Sequence, residues 1–250
     1  MMYRFHRAHF QVLVKMLVLF ALIMTSSMPA LSADARKGKI LFVISGDKHG
    51  FWLPEVVGPY RVLYDAGFEI ELVSSTGMPG YPRGRLAEAQ RRWLDNSPLK
   101  QQLSEPNDLE TRDSRDYLAV YYAGGAGPMF DLTAHASAKK LTEAIYKAGG
   151  IIAADCHGTV ALLNLQDESG HRLILNKRIT GKANSEEGWF ARTHYPFLIE
   201  DEATRLGAIF VAAKKGQVNV VVDGQFVTGQ NPVSAIPMAE ALLVALGQLK

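Results

Sequence analysis

Two runs of strand length in this chain, KILFVIS (Lys39–Ser45) and GIIAAD (Gly150–Asp155), carry apolar residues almost without interruption. A strand with one wet face alternates apolar and polar residues, whereas a strand covered on both faces has no polar side to show. Such strands call for a parallel sheet with helices packed on each side, and the intervening sequence supplies them. LPEVVGPYRVLYDAG reads as a helix, with Pro54 in its first turn, Val57, Tyr60, Val62 and Leu63 on its apolar face, and Gly67 as its stop. FEIELVS (Phe68–Ser74) is a strand whose Glu69 and Glu71 share a face, which places it nearer the sheet edge. YLAVYYAGG (Tyr117–Gly125) is another strand, and ASAKKLTEAIYKAGG is a helix closed by Gly149 and Gly150. Strands alternating with helices through right-handed crossovers predict a doubly wound, mostly parallel α/β sheet flanked by helices. In such sheets ligands sit beyond the carboxyl ends of the strands, where Gly46, Gly124–Gly127, Cys156 and Gly181 all fall.

The remaining segments divide into four. Residues 1–35 carry Arg4, Arg7 and Lys15, then MLVLFALIM (Met16–Met24), then small and polar residues up to Ala33-Asp34-Ala35. A charged start, a short apolar core and an Ala-x-Ala-like site predict a cleaved signal peptide and an exported, periplasmic or secreted protein. The apolar core is about half the ~20 residues of a spanning helix. Residues 36–250 then form the α/β domain. Within it, Ser75–Asp116 is turn-rich and polar, with a possible helix in LAEAQRRWLDN, and reads as an insertion or lid without its own core. QVNVVVDGQFVTG signals a hairpin turning at Asp223-Gly224, and SAIPMAEALLVALGQL closes the chain as a helix. A net charge of +2 with scattered basic residues excludes an electrostatic footprint for nucleic acid, and the basic spot from Arg83 to Arg92 reads as a solvated face.

Cys156 is the single cysteine of the chain. An exported chain normally spends cysteines in pairs, so a lone one points to a reactive thiol rather than a disulfide. IIAADCHGTVAL places it between a strand and helix-forming residues, in an Asp-Cys-His-Gly turn that suits exposure. A nucleophile on such a turn projects from the sheet with helix N-terminal amides behind it. A thiol there, beside His157, is expected to ionise below the ~8.5 of free cysteine. His157 acts as a base only if another group orients it, and TGKANSEEGW (Thr180–Trp189) offers Glu186 and Glu187. The glycine turn of YYAGGAGPMFD could stabilise an oxyanion through its amides, and Glu55 starts a helix at the same end of the sheet.

These residues, together with GFWLPEVVGPY, AGFEIELVS, GGIIAADCHG, ITGKANSEE, YPFLIEDEATRLGA and VVDGQFVTGQNPVSA in order, resemble the ThiJ/PfpI superfamily over Lys39–Leu249. The resemblance is strongest to its chaperone and glyoxalase III-like branch. It implies a class I glutamine-amidotransferase-like, flavodoxin-like sandwich with a nucleophile elbow. It also implies that Cys156 is the nucleophile and His157 its partner. The acidic third member falls on Glu187, with Glu186 the open alternative, and the acid that hydrogen-bonds the thiol falls on Glu55. Amides of Gly125 or Ala126 and of His157 would hold the oxyanion. The chain departs from the family pattern at Ala126, where relatives commonly carry histidine, and at Thr159, where they commonly carry proline.

The implied activity is cysteine-dependent conversion of small 2-oxoaldehydes to 2-hydroxy acids, without a cofactor. No metal site is expected, since His49, His135, His171 and His194 lack ligand spacing. The expected partner is a small aldehyde substrate; neither nucleic acid nor, after signal cleavage, a membrane is expected, and the assembly is expected to be a homodimer. Two alternatives use the same residues: a cysteine peptidase or amidase, and a non-enzymatic chaperone or redox sensor.

Overall fold

In the computed structural model, which describes residues 37–249, β1 (Lys39–Ile44) lies at the centre of a seven-stranded sheet. It pairs in parallel with β3 (Glu69–Ser74) on one side and with β6 (Ala119–Tyr122) on the other. Beyond β6 come β7 (Ile151–Asp155) and β11 (Phe226–Gly229), both parallel, and then β10 (Val220–Asp223), antiparallel to β11. Beyond β3 lies only the two-residue β5 (Asn107–Asp108). The expected doubly wound sheet is therefore present, with the hairpin at one edge. The chain runs outward from β1 in opposite directions, so the topological switch point falls at the carboxyl ends of β1 and β6.

Alternate residues of β1 enter different layers. Ile40, Phe42 and Ile44 pack with helix α1 (Leu53–Asp65) and the closing helix Ala235–Leu246. Leu41 and Val43 pack on the other face with Leu141 and Ile145 of the helix Ala136–Lys147. All five are fully buried, and each contributes roughly 1.5–3 kcal/mol of transfer free energy. Glu71 of β3 meets Lys39, Arg112, Asn107 and the Tyr117 hydroxyl near the sheet edge. Burial opposes its charge, but the Lys39 ammonium and the Tyr117 hydroxyl hold the carboxyl below its ordinary range.

The Ser75–Asp116 segment has no separate core: its Leu99 and Leu109 are buried in the two layers of the main sheet. It contributes β4 (Pro82–Arg83), which pairs with β2 (Phe51–Trp52), and helices at Glu88–Asp95 and Leu99–Ser104. The short KRITG run forms β8 (Arg178–Ile179), which lies off the main sheet and pairs with β9 (Ile209–Phe210). One element differs from the sequence reading. The helix expected after Cys156 is a 3-10 turn over Cys156–Leu162, in keeping with Gly158 and the β-branched Thr159 and Val160, which form α-helix poorly. The stretch expected to be a signal peptide, residues 1–35, lies outside the described residues. Among the described residues no helix is long and apolar enough to cross a membrane.

Candidate active site

The carboxyl ends of β6 and β7 lie side by side, and the chain leaving each turns sharply. After β7, Cys156 takes φ = 51°, a left-handed conformation that costs a residue with a Cβ about 1–2 kcal/mol. After β6, Gly124 leaves no room for a side chain. A Cβ there would lie 2.3 Å from Glu55 Oε2 and 2.7 Å from Cys156 Cβ. Gly125 follows at φ = 118°, and a loop from the first strand lies across the turn. Trp52 N donates to the Gly124 carbonyl and Gly127 N to the Gly50 carbonyl, both at 2.8 Å. Gly125 and Ala126 line the cleft together with Cys156.

Glu55 arrives from the first turn of α1 and is completely buried. Its own carbonyl cannot receive the usual helical bond, because the residue four positions on is Pro59. The Tyr121 hydroxyl takes that place, 3.2 Å from the Glu55 carbonyl and 2.9 Å from Asp155 Oδ2. Asp155 Oδ1 accepts the Gly124 N–H at 2.8 Å. Burial pushes the Asp155 carboxyl up to about 8 against those hydrogen bonds. One polar chain thus ties the Glu55 helix turn to the Cys156 strand end.

Neither oxygen of the Glu55 carboxyl has a nitrogen or oxygen partner among the described residues. The polar group beside it is the Cys156 thiol. Burial, and then the charge of Asp155, push the Glu55 carboxyl well above its usual range. The thiol is also raised well above a free cysteine, first by burial and then by the Glu55 charge, while Lys182 and the His157 amide pull the other way. Burial and the Glu55 charge thus run against the low-pKa thiol expected from sequence. The turn is buried rather than exposed, Cys156 being 4% and Asp155 0% accessible, and it opens a short 3-10 turn instead of a long α-helix.

His157 lies between the thiol and a carboxyl. Its Nδ1 is 3.6 Å from Cys156 Sγ and its Nε2 is 3.0 Å from Glu187 Oε1. An Nε2–H donated to Glu187 leaves Nδ1 as acceptor for the thiol proton. Glu186 points elsewhere: its Oε1 accepts from Asn231 Nδ2 at 2.8 Å and Gly216 N at 2.7 Å. Thus Cys156, His157, Glu187 and Glu55 converge, and Glu186 does not join them. Thr159 is buried behind this turn, its hydroxyl donating to the Thr180 carbonyl at 3.2 Å.

The cleft above the thiol has a volume of about 370 Å³. It is also lined by His49, Trp52, Arg83, Lys182 and Tyr195, none of which was singled out as a site residue from sequence. Lys182 N–H donates to the Cys156 carbonyl at 3.1 Å, and its ammonium lies 3.7 Å from Glu186 Oε2. Arg83, read from sequence as part of a solvated face, is exposed but stands at the cleft mouth, donating to the Lys48 carbonyl at 2.9 Å. Lys182 sits inside a quoted motif, ITGKANSEE, and could have been noticed there. Tyr195 likewise opens the motif YPFLIEDEATRLGA, whereas Arg83 arrives on the two-residue β4, which carries no periodic signal. No group of three or more metal-ligating side chains occurs among the described residues.

The comparisons with known proteins agree with this architecture. Residues 38–245 match the model of the DJ-1/PfpI family. The chain is 29% identical over 218 residues to Glyoxalase 3 of Candida albicans, covering 82% of this chain and 92% of that protein. It is also 29% identical over 220 residues to the glutathione-independent glyoxalase HSP31 of Saccharomyces cerevisiae, covering 82% and 93%. Among solved structures, the Rapid Encystment Protein 24 KDa of Francisella tularensis superposes with a TM-score of 0.79 at 30% identity, covering 84% of this chain and 99% of that one. Glyoxalase III of Candida albicans superposes at 0.75 with 26% identity, covering 83% and 97%. A parallel sheet with these strand-end turns, matched over nearly all the described residues, places the chain in the DJ-1/PfpI family.

Proposed function

We propose that the protein is a glyoxalase III-type enzyme that converts small 2-oxoaldehydes to 2-hydroxy acids without glutathione or another cofactor. The observation that carries this reading is a buried, uncommitted carboxyl, Glu55, beside a thiol that has its own imidazole and carboxyl, His157 and Glu187. A hydrolase needs a nucleophile, a base and an orienting group. Isomerising a 2-oxoaldehyde needs one more group, to carry a proton between adjacent carbons. The names borne by the relatives from Candida albicans and Saccharomyces cerevisiae favour the same chemistry.

In this mechanism His157 Nδ1 takes the thiol proton as sulfur adds to the aldehyde carbon. The amides of Gly125, Ala126 and His157 face the developing oxyanion. Neutral Glu55 protonates that oxygen, giving the hemithioacetal and a carboxylate. The carboxylate removes the proton from the former aldehyde carbon, while protonated His157 gives its proton to the neighbouring oxygen. Glu55 returns the carbon-bound proton to the second carbon and takes the hydroxyl proton from the first. The result is a 2-hydroxyacyl thioester of Cys156, with Glu55 neutral and His157 uncharged as at the start. Water then releases the acid and restores the thiol.

The expected result is stoichiometric conversion of methylglyoxal to lactate by the purified protein in the absence of glutathione, read by chromatography. Cleavage of a peptide or amide panel with no lactate formed would favour the cysteine hydrolase instead. The same reading takes the protein as an exported homodimer. Mass spectrometry of the exported form is expected to place its N-terminus near Ala33–Ala35, and size-exclusion with light scattering is expected to give twice the mature mass. Recovery of Met1 in a membrane fraction would overturn the export.

A further inference from the structure

The thiol, its base and Glu55 are nearly dry, yet the last step of the proposed reaction consumes water. The side chains of His157 and Glu187 are 10% and 3% accessible, and Glu55 is 0% accessible. A second imidazole lines the same cleft at a wetter position: the His49 side chain is 28% accessible. His49 precedes Gly50, whose carbonyl holds Gly127 N, while Ala126, which precedes Gly127, presents only a methyl group.

This imidazole is held as a base would be. Asp47 Oδ1 lies 2.5 Å from His49 Nδ1 and also accepts the His49 backbone N–H at 2.8 Å. The ring stacks on Phe130 with centroids 4.0 Å apart and planes at 20°. Asp47 is anchored in turn, since its amide donates to Asp131 Oδ2 at 3.1 Å. Burial works against the Asp47 charge, but the His49 backbone and ring N–H hold its carboxyl below the ordinary range. A carboxylate accepting from Nδ1–H leaves Nε2 with its lone pair free. The carboxylate and the stacking ring together fix where that lone pair points.

We infer that His49, oriented by Asp47, is the general base that activates the water hydrolysing the Cys156 acyl thioester. This rests on the glyoxalase reading above. In the step, Nε2 takes one proton from water as the hydroxide oxygen bonds to the acyl carbon. The carbon–sulfur bond breaks with its electron pair on sulfur, and protonated His49 gives its proton back to the thiolate. The two imidazoles thereby divide the cycle: His157 serves addition and isomerisation from the dry side, and His49 serves release from the wet side.

The test is the fate of Cys156 after mixing with methylglyoxal, followed by intact-mass spectrometry alongside steady-state kinetics. His49→Gln is expected to load Cys156 with the 2-hydroxyacyl group at near wild-type speed and then stall. Its kcat should fall about 10²–10⁴-fold, the usual worth of a general base, with KM falling in parallel because acylation is preserved. Hydroxylamine, a nucleophile that needs no base, added after free methylglyoxal is removed, should release the acyl group as its hydroxamate and restore the Cys156 thiol. Asp47→Asn should show the same stall in weaker form, which covers the case in which His49→Gln does not fold. A loop-building role alone would lower acylation and release together, with no covalent species accumulating, and that result would overturn the inference, as would unchanged kcat. Wild-type protein that forms no lactate would instead overturn the glyoxalase reading, and this role with it.

Discussion

Cys156→Ala is expected to lower turnover of methylglyoxal by about 10⁴–10⁶-fold, the scale on which removing a member of a catalytic nucleophile–base set acts. The fold should survive, because alanine occupies the same φ = 51° turn with the same Cβ. The variant loses only the sulfur, which touches Glu55 and His157 at the cleft floor. The wild-type thiol should not behave as a pre-formed thiolate. Burial and the neighbouring Glu55 carboxyl push it up, and Lys182 offsets this in part. Its alkylation by iodoacetamide should therefore have a pH midpoint at or above the ~8.5 of free cysteine. Turnover near neutral pH would then depend on His157 taking the proton as the substrate adds. A midpoint far below that of a free thiol would show that the backbone amides outweigh burial. Retention of more than a few per cent of turnover by Cys156→Ala would remove the thiol from the chemistry altogether.

The sheet was legible because burial on both faces removes polar residues from a strand, and KILFVI and IIAAD have almost none to misplace. Cys156 and His157 were legible because they are contiguous and follow such a strand. What escaped depended on distances along the chain. Glu186 and Glu187 are adjacent and chemically alike, so spacing could not rank them. Glu186 ends a 3-10 turn and Glu187 is the extended residue after it, which sends one side chain to Asn231 and the other to His157. The raised thiol was hidden for a similar reason. A Cys at the start of a helix reads as activated, but the Glu55 carboxyl is carried to its side by a different crossover. The strand KRITG has the residues of a sheet strand, yet β11 already occupies the position beside β7, so it pairs outside with Ile209–Phe210. For His49, the Asp47-Lys48-His49 spacing signals an aspartate-capped turn. That spacing says nothing of the cleft His49 shares with the thiol.

The two carboxyls should fail at different steps, and that difference is the most discriminating consequence of the site. Glu55 is held neutral at rest by burial and by the Asp155 charge, so Glu55→Gln removes no resting charge and alters little volume. It should melt close to wild type, and its Cys156 alkylation midpoint should move down if at all, because the Glu55 charge acts on the thiol only to raise it. It cannot carry a proton between the two substrate carbons, so turnover should fall about 10²–10⁴-fold while sulfur still adds to the aldehyde. Glu187 acts one residue removed, through the 3.0 Å contact to His157 Nε2. A glutamine there no longer stabilises the imidazolium, and its amide can turn to donate to Nε2, which selects the tautomer with a proton on Nδ1 facing the thiol. A comparable asparagine substitution in the serine protease triad costs about 10⁴-fold. Glu187→Gln should therefore slow alkylation at neutral pH along with turnover, because the thiol loses its proton acceptor. Iodoacetamide kinetics and methylglyoxal turnover on both variants decide the matter. Should Glu55→Gln slow alkylation as strongly as turnover, its role is to set the state of the thiol rather than to carry the proton. Should both variants turn over like wild type, the two carboxyls are packing features of the strand ends, and the mechanism built on them is wrong.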